Sequence, residues 1–285
     1  MEKRQFINVL DEQGRFLELK ASPANESSQQ DSHTTSYLRL RREYQNGGFA
    51  LGLGNETDHQ KPENLIIAYD LDGTLYDFGK ICFSVDQVIR RELGYPDITS
   101  EFYVSEFQSR DWNKFYRDLG IRDDDLEKVI EMFIERFKAT ESPKLIPGAR
   151  EALRRTEEAI GHNNIFIITN ETTEGVRKRF ERDNLIHYID RVDNPMQGKA
   201  NELYKLAMCN GNEGKRVVYI GDLVSDGEDC LKARKAGAKN LRFYGITHGY
   251  AMNPREKMLE FVARNANFAE TLNSLDEIDR IWKGR

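Results

Sequence analysis

Nowhere does this 285-residue chain carry a run approaching the ~20 consecutive apolar residues that a helix needs to cross a bilayer. A membrane-spanning helix is therefore excluded. Cysteine is scarce: Cys82, Cys209 and Cys230 are odd in number, dispersed and without CxxC spacing. They fit neither a disulfide framework nor a zinc site, and buried reduced thiols are the expectation. A basic surplus is also missing, since 42 lysines and arginines face 48 aspartates and glutamates, a net charge of −6. Nonspecific nucleic-acid binding draws on a dense basic face and is thereby disfavoured, although a local basic pocket is not. The opening MEKRQFINVLDEQ has a basic start with no apolar segment behind it, so no secretory signal is read there and a cytoplasmic setting is expected. Gly48, Gly52 and Gly54 match neither a GxGxxG fingerprint nor a P-loop. What is there is 39% apolar and 32% charged, which allows a sizeable core under a heavily charged surface. The length suits one large domain or two modest ones.

The first sixty residues differ from the rest. FINVLDEQGRFLEL alternates apolar and polar positions around a DEQG turn, the pattern of a hairpin. ASPANESSQQDSHTTS has little to bury and reads as a flexible loop. YLRLRREYQNGGFALGLG alternates again, around Asn46-Gly47-Gly48. Residues 1–60 are thus expected to form a β-rich, flexible appendage without visible chemistry. From residue 64, short apolar runs alternate with amphipathic helices. LIIAY (65–69), IFII (165–168) and VVYI (217–220) are β-rich and nearly continuous in apolar character, as strands covered on both faces are. LRF (241–243) and IDRV (189–192) are further strand candidates. GAREALRRTEEAI, TEGVRKRFERDNL and KANELYKLAMC space their apolar residues by three and four.

This alternation predicts an α/β fold with a doubly wound, mainly parallel sheet. One long insertion breaks it: SVDQVIRRELG, SRDWNKFYRDLG and DDLEKVIEMFIERFKA all read as helices. Leu145-Ile146-Pro147-Gly148 then returns the chain to the sheet. The expected division is an appendage over 1–60, an α/β core over 61–76 and 144–285, and a helical cap over 77–143.

Ligands of open α/β sheets bind beyond the carboxyl ends of the strands. There the chain places Asp70-Leu71-Asp72-Gly73-Thr74-Leu75, Thr169-Asn170, and Gly221-Asp222-Leu223-Val224-Ser225-Asp226. Four carboxylates at one sheet edge cannot all ionise without compensation. The donors are all oxygen, without histidine or cysteine, so Mg²⁺ is the fitting counter-ion. Mg²⁺ held by a few carboxylates keeps waters and accepts phosphate oxygens. An aspartate in that setting can also act as a nucleophile.

DLDGTL, Thr169-Asn170, Lys199 and GDLVSD, in this order at these strand ends, resemble the four motifs of the haloacid dehalogenase-like (HAD) hydrolase superfamily. Lys199 precedes Asp222 by 23 positions, room for one helix and one strand. The insertion after Leu75 sits where subfamily I of that superfamily carries a helical cap. Phe243–Tyr250 and Ala266–Leu275 are similar to the tail of phosphoglycolate phosphatase-like members. The resemblance covers about residues 64–282 and implies a Rossmann-like core that hydrolyses a small phosphorylated metabolite with Mg²⁺. It implies Asp70 as nucleophile and Asp72 as general acid and then base. Asp70, the Asp72 backbone carbonyl, Asp222 and Asp226 would hold Mg²⁺, the last directly or through water. Thr169 and Lys199 would bind the phosphoryl oxygens, assisted by Asn170 and the amides of Gly73 and Thr74.

The residues alone leave plainer readings open. Asp72 can be a turn residue, Thr169 a strand-end hydroxyl that satisfies backbone, and Asp226 a helix N-cap. Lys199 can be a solvated charge, with Lys205 its rival. Cys82 and Phe83 read as packing, and His248 as structural. Asn-x-Ser/Thr at Asn25, Asn55 and Asn170 is no sign of glycosylation without an export signal. Asp72 separates the expected phosphatase from the dehalogenases of the superfamily, and no cap lysine stands out as a phosphonatase Schiff base. A phosphosugar mutase-like phosphotransferase shares the same motifs. A non-catalytic binding or regulatory module on the same core is the reading from another class. Within the cap, Tyr103, Trp112, Tyr116 and Arg117 are candidates to touch substrate, though aromatics at helical spacing are more often core.

Overall fold

The computed structural model describes residues 6–10, 16–20, 64–107, 112–140, 142–193, 198–209 and 211–283. Strands β1 (Phe6–Leu10) and β2 (Phe16–Lys20) pair as a two-stranded sheet, where the first alternating pattern falls. The second alternating stretch lies outside the described residues.

Six strands form the main sheet: β3 (Leu65–Tyr69), β4 (Ile165–Ile168), β5 (Val192–Asp193), β6 (Arg216–Gly221), β7 (Leu241–Ile246) and β8 (Ala269–Leu272). Their spatial order is β5-β4-β3-β6-β7-β8, and every pairing is parallel. The sheet is the doubly wound one expected. Alternate residues of β3 point to opposite faces: Leu65, Ile67 and Tyr69 join one core, Ile66 and Ala68 the other. Helices α5 (Ala149–Ile160) and α6 (Thr173–Arg182) cover the first face. Helices α7 (Ala200–Met208), α8 (Val224–Lys235) and α9 (Arg255–Arg264) cover the second. The buried residues of α5, Ala149, Ala152, Leu153, Thr156 and Ile160, keep the three- and four-residue spacing of one helical stripe. The Tyr69 and Thr156 hydroxyls, 2.6 Å apart, satisfy each other where β3 meets α5. The short helix α10 (Arg280–Lys283) ends the described chain.

The insertion holds α1 (Phe78–Glu92), α2 (Ser100–Glu106), α3 (Trp112–Asp118) and α4 (Leu126–Ala139). They enclose a hydrophobic core of their own, with Val85, Ile89, Tyr103, Phe115, Val129 and Phe133. Two chain segments join it to the sheet. Tyr76 bridges antiparallel to Leu145, the Asp77 amide donates to the Lys144 carbonyl (2.8 Å) and the Ile146 amide to the Leu75 carbonyl (2.8 Å).

Three elements depart from the sequence expectation. IDRV is a strand only at Val192, because Ile186–Arg191 winds as a 3₁₀ helix that brings Tyr188 into the core. Helix α2, polar in four of its seven positions, carries too weak a periodicity to be read, and its N-cap Thr99 accepts from the Phe102 amide (3.2 Å). Edge strand β8 is only four residues, AETL, and lacks an apolar run.

Candidate active site

Strand order reverses between β3 and β6, and the crevice beyond their carboxyl ends is where such sheets take ligands. Asp70 directly follows β3 and Asp222 directly follows β6, on neighbouring strands paired from Leu65–Arg216 to Tyr69–Ile220. Asp226 stands in the first turn of α8. Ligand oxygens of Asp70, Asp222 and Asp226 all lie within 4.8 Å of one another, and all three residues are buried.

Lys199 enters this group from the start of α7, with only 3% of its surface exposed. Its Nζ lies 2.7 Å from Asp70 Oδ1 and 2.9 Å from Asp226 Oδ1. Burial acts to lower its pKa, but Asp226 and Asp70 outweigh burial and hold it above the ordinary lysine value. Lys205, its rival, is exposed and pairs with Glu202. The Lys199 amide donates to Asp229 Oδ2 (3.2 Å), so a buried carboxylate one turn beyond Asp226 fixes the backbone that carries the ammonium. Asp229 was not expected at the site, because an aspartate in a charged helix is indistinguishable in sequence from a solvated one.

Asp70 Oδ1 also accepts from the Leu71 amide (2.7 Å), while Oδ2 has no hydrogen-bond partner among the described residues. Burial raises its carboxyl, with Lys199 opposing and Asp226 and Asp72 adding to the rise, to about 7. Asp222 is driven up as well, by burial first and by Asp70 and Asp226 next. It accepts from the Met252 amide (2.7 Å) and the Thr74 hydroxyl (3.4 Å). Gly73 has φ +81°, and a Cβ there would lie 2.2 Å from Asp222 Oδ2. Only glycine lets the loop after β3 close on Asp222. Asp226 Oδ2 accepts from the Leu223 amide (3.2 Å), so this residue caps α8 and faces Lys199 at once.

Asp72 is placed differently from the other three. Its carboxylate is outside the acidic group and pairs with Arg179. Burial raises its pKa, and Arg179 is the main opposing influence. Thr169 is buried at the end of β4, its hydroxyl accepting from the Glu171 amide (3.1 Å), while Asn170 is exposed. His248 Nε2 is 3.5 Å from the Thr74 carbonyl, and burial lowers its pKa, which suits a neutral loop residue. Cys82 and Phe83 pack in the insertion, and the Tyr103 and Tyr116 hydroxyls donate to buried Asp86. Trp112 stacks on Tyr116, and Arg117 pairs with Asp123 at the surface.

The loop after β7 ties the insertion to this site. Asn253 is 6% exposed. Its Oδ1 accepts from the Val224 amide (2.5 Å), and its Nδ2 donates to the Phe107 carbonyl (2.8 Å). Lys257 Nζ donates to the Ser105 carbonyl (3.0 Å). A cavity of about 280 Å³ lies between α1, α2 and residues 249–252, lined in part by Lys80, Phe83, Phe107, Tyr250 and Met252. Sequence reasoning missed Asn253, because its partners come from two distant segments.

The donor set fits a hard divalent cation. Three carboxylates and one ammonium leave a formal charge of −2 in a buried site, and every ligand atom is oxygen.

Known proteins share the family pattern and the fold of this chain. Residues 67–242 match the family model described as haloacid dehalogenase-like hydrolase. A haloacid dehalogenase-like family hydrolase from Streptococcus pneumoniae has the same fold, with TM-score 0.58 and 17% identity over 76% of this chain and 98% of that one. So has a HAD family hydrolase from Deinococcus radiodurans R1 with bound phosphate and sodium, with TM-score 0.58 and 19% identity over 78% and 96%. A predicted phosphoglycolate phosphatase from Haemophilus somnus aligns with TM-score 0.54 and 15% identity over 76% and 96%. No match to a curated protein was found.

Proposed function

The chain belongs to the haloacid dehalogenase-like hydrolases, and we propose that within them it is a Mg²⁺-dependent phosphatase acting on a small phosphomonoester. The observation that carries this reading is the buried group Asp70, Asp222, Asp226 and Lys199 beyond the ends of β3 and β6. Asp70, the Asp72 backbone carbonyl, Asp222 and Asp226 would hold Mg²⁺, which supplies counter-charge to the phosphoryl oxygens. Phosphate bound to the Deinococcus relative of the same fold supports the choice of ligand.

Asp70 holds Oδ1 on Lys199 and the Leu71 amide and keeps Oδ2 for the attack on phosphorus. As that bond forms, the bond to the leaving oxygen breaks and its electron pair stays on the leaving group, which takes a proton from Asp72. In the second half, water attacks the phosphorus of the phosphoaspartate and gives its proton to Asp72. The bond to Asp70 breaks and the carboxylate returns. Lys199, Thr169, Asn170 and the Thr74 amide hold the phosphoryl oxygens, whereas the Gly73 amide, expected to assist them, is spent on the Tyr76 carbonyl (2.8 Å). Lys199 is carboxylate-bound before substrate arrives, so its charge is in place without reorganisation.

In this reading residues 77–143 are a cap over a core of 61–76 and 144–285, and residues 1–60 an appendage. The cavity against the 249–252 loop is where cap and core enclose space beside the site, and exclusion of water there protects the phosphoenzyme.

Phosphate release from phosphoglycolate, sugar phosphates, nucleoside monophosphates and p-nitrophenyl phosphate tests the proposal. Turnover with Mg²⁺ that is lost in Asp70→Asn and with EDTA is expected. Folded protein that binds Mg²⁺ and releases no phosphate from any of them would overturn it.

A further inference from the structure

Arg179 stands outside the acidic group, yet it touches three parts of the site. It sits on α6 and is 2% exposed. Nη1 lies 2.5 Å from Asp72 Oδ1, and Nη2 lies 2.7 Å from Glu171 Oε2. Its guanidinium carbon is 5.6 Å from the centroid of the Tyr76 ring. Glu171 directly follows the Thr169-Asn170 exit of β4, and Tyr76 belongs to the segment that joins insertion and sheet. A guanidinium is a planar fork with fixed angles, so two carboxylates held on its separate nitrogens hold each other in place.

The backbone of Asp72 is fixed independently. Asp72 bridges to Tyr76, and the Gly73 amide donates to the Tyr76 carbonyl (2.8 Å). Only the side-chain torsions of Asp72 remain to be set, and Arg179 holds one of its two oxygens. The other, Oδ2, makes no hydrogen bond among the described residues. The Asp72 side chain is 22% exposed, so this carboxylate is reachable from outside while its partner arginine is not.

We propose that Arg179 is a positioning residue for proton transfer, clamping Asp72 Oδ1 so that Oδ2 is the oxygen presented to the leaving group. The inference rests on the phosphatase reading above and adds a residue to it. Arg179 exchanges no proton itself. Asp72 Oδ2 gives its proton to the leaving oxygen as the phosphorus–oxygen bond breaks, and regains one from the water that attacks the phosphoaspartate. Through Glu171 the same fork ties the acid to the loop that begins with Thr169, so both move as one unit.

Leaving groups separate this role from a merely structural one. An alkyl phosphate needs protonation of its leaving oxygen, whereas p-nitrophenolate leaves without it. The ratio kcat/KM reports steps up to the first irreversible one, which here is departure of the leaving group. We expect Arg179→Gln to lower kcat/KM for the best alkyl phosphate by about 30-fold or more, a part of the 10²–10⁴ that a positioned acid supplies. The value for p-nitrophenyl phosphate should fall less than about threefold, and competitive inhibition by inorganic phosphate should stay within about twofold. Arg179→Lys, which keeps the charge without the fork, should recover only part of the alkyl activity.

Equal losses on both esters would assign Arg179 to folding or phosphate binding and overturn the proposal, as would no loss on either. If Arg179→Gln does not fold, Glu171→Gln takes its place. It frees one arm of the clamp and should lower the alkyl-to-aryl ratio several-fold, and an unchanged ratio in that variant overturns the proposal. Wild-type protein silent on every ester would remove the phosphatase reading first, and this inference with it.

Discussion

Replacing Asp86 by asparagine tests how the helical insertion holds a buried charge. Asp86 lies on α1 with 1% of its surface exposed. The Tyr103 hydroxyl donates to Oδ2 (2.6 Å) and the Tyr116 hydroxyl to Oδ1 (2.9 Å). Arg90, one turn on, spends its guanidinium on the Pro96 and Leu119 carbonyls. Burial raises the Asp86 carboxyl from 3.8 to about 7, with the two phenols and Arg90 opposing. A carboxyl with a raised folded-state pKa binds more protons in the native than in the unfolded chain between those two values. Stability is therefore lost as pH rises from about 4 to about 7, most steeply by about 1.4 kcal/mol per pH unit and about 4 kcal/mol in all.

Asparagine keeps the shape and removes the charge: its Oδ1 accepts from one tyrosine hydroxyl and its Nδ2 donates to the oxygen of the other, as the OH of the protonated acid does. Urea denaturation of the two proteins in metal-free buffer gives the difference directly, because the site carboxylates titrate alike in both and cancel. Near pH 4.5 the stabilities should agree within about 1 kcal/mol, and at pH 8 Asp86→Asn should be more stable by about 3–4 kcal/mol. A difference that does not change with pH, or a wild type more stable at pH 8, would refute the reasoning.

Other outcomes follow from the site. Lys199→Met leaves three clustered buried carboxylates without their ammonium and should cost about 3–5 kcal/mol of stability in metal-free protein, more at pH 8 than at pH 5, read by urea denaturation. Mg²⁺ at about 100 times its Kd should stabilise the wild type by about 2.7 kcal/mol, and thermal melting should show that gain vanish in Asp222→Asn. Gly73→Ala combines a left-handed φ with a Cβ 2.2 Å from Asp222 Oδ2. It should lower stability by about 2 kcal/mol and abolish the Mg²⁺ shift in the same melting experiment. Asn253→Ala cuts the tie from the Val224 amide to the Phe107 carbonyl. Faster amide hydrogen exchange in α2 and in the first turn of α8 should follow, and unchanged exchange would sever the link between insertion and site.

Much of the architecture was legible in the chain itself. LIIAY, IFII and VVYI are apolar on both faces because both faces of the sheet are covered, so continuous apolar runs and parallel strands have one cause. Asp70 and Asp222 were found because they follow such runs, the first directly and the second after Gly221, and a strand end fixes where the next side chain stands. Short or polar elements were not legible: AETL in β8 and the helix Ser100–Glu106 take their conformation from neighbours, and IDRV was drawn into a 3₁₀ helix by the burial of Tyr188.

Local pattern therefore determined the fold class, the interrupted α/β alternation and the carboxylates at the strand ends, because each depends on residues close together in sequence. Only the tertiary structure decided which carboxylates meet. Asp72, two residues from Asp70, turns to an arginine 107 positions away, while Asp226 joins a lysine 27 positions away. A charge finds its partner through space, and the choice between a buried ion pair and a shared acidic group is made by packing across elements that no spacing in the chain records.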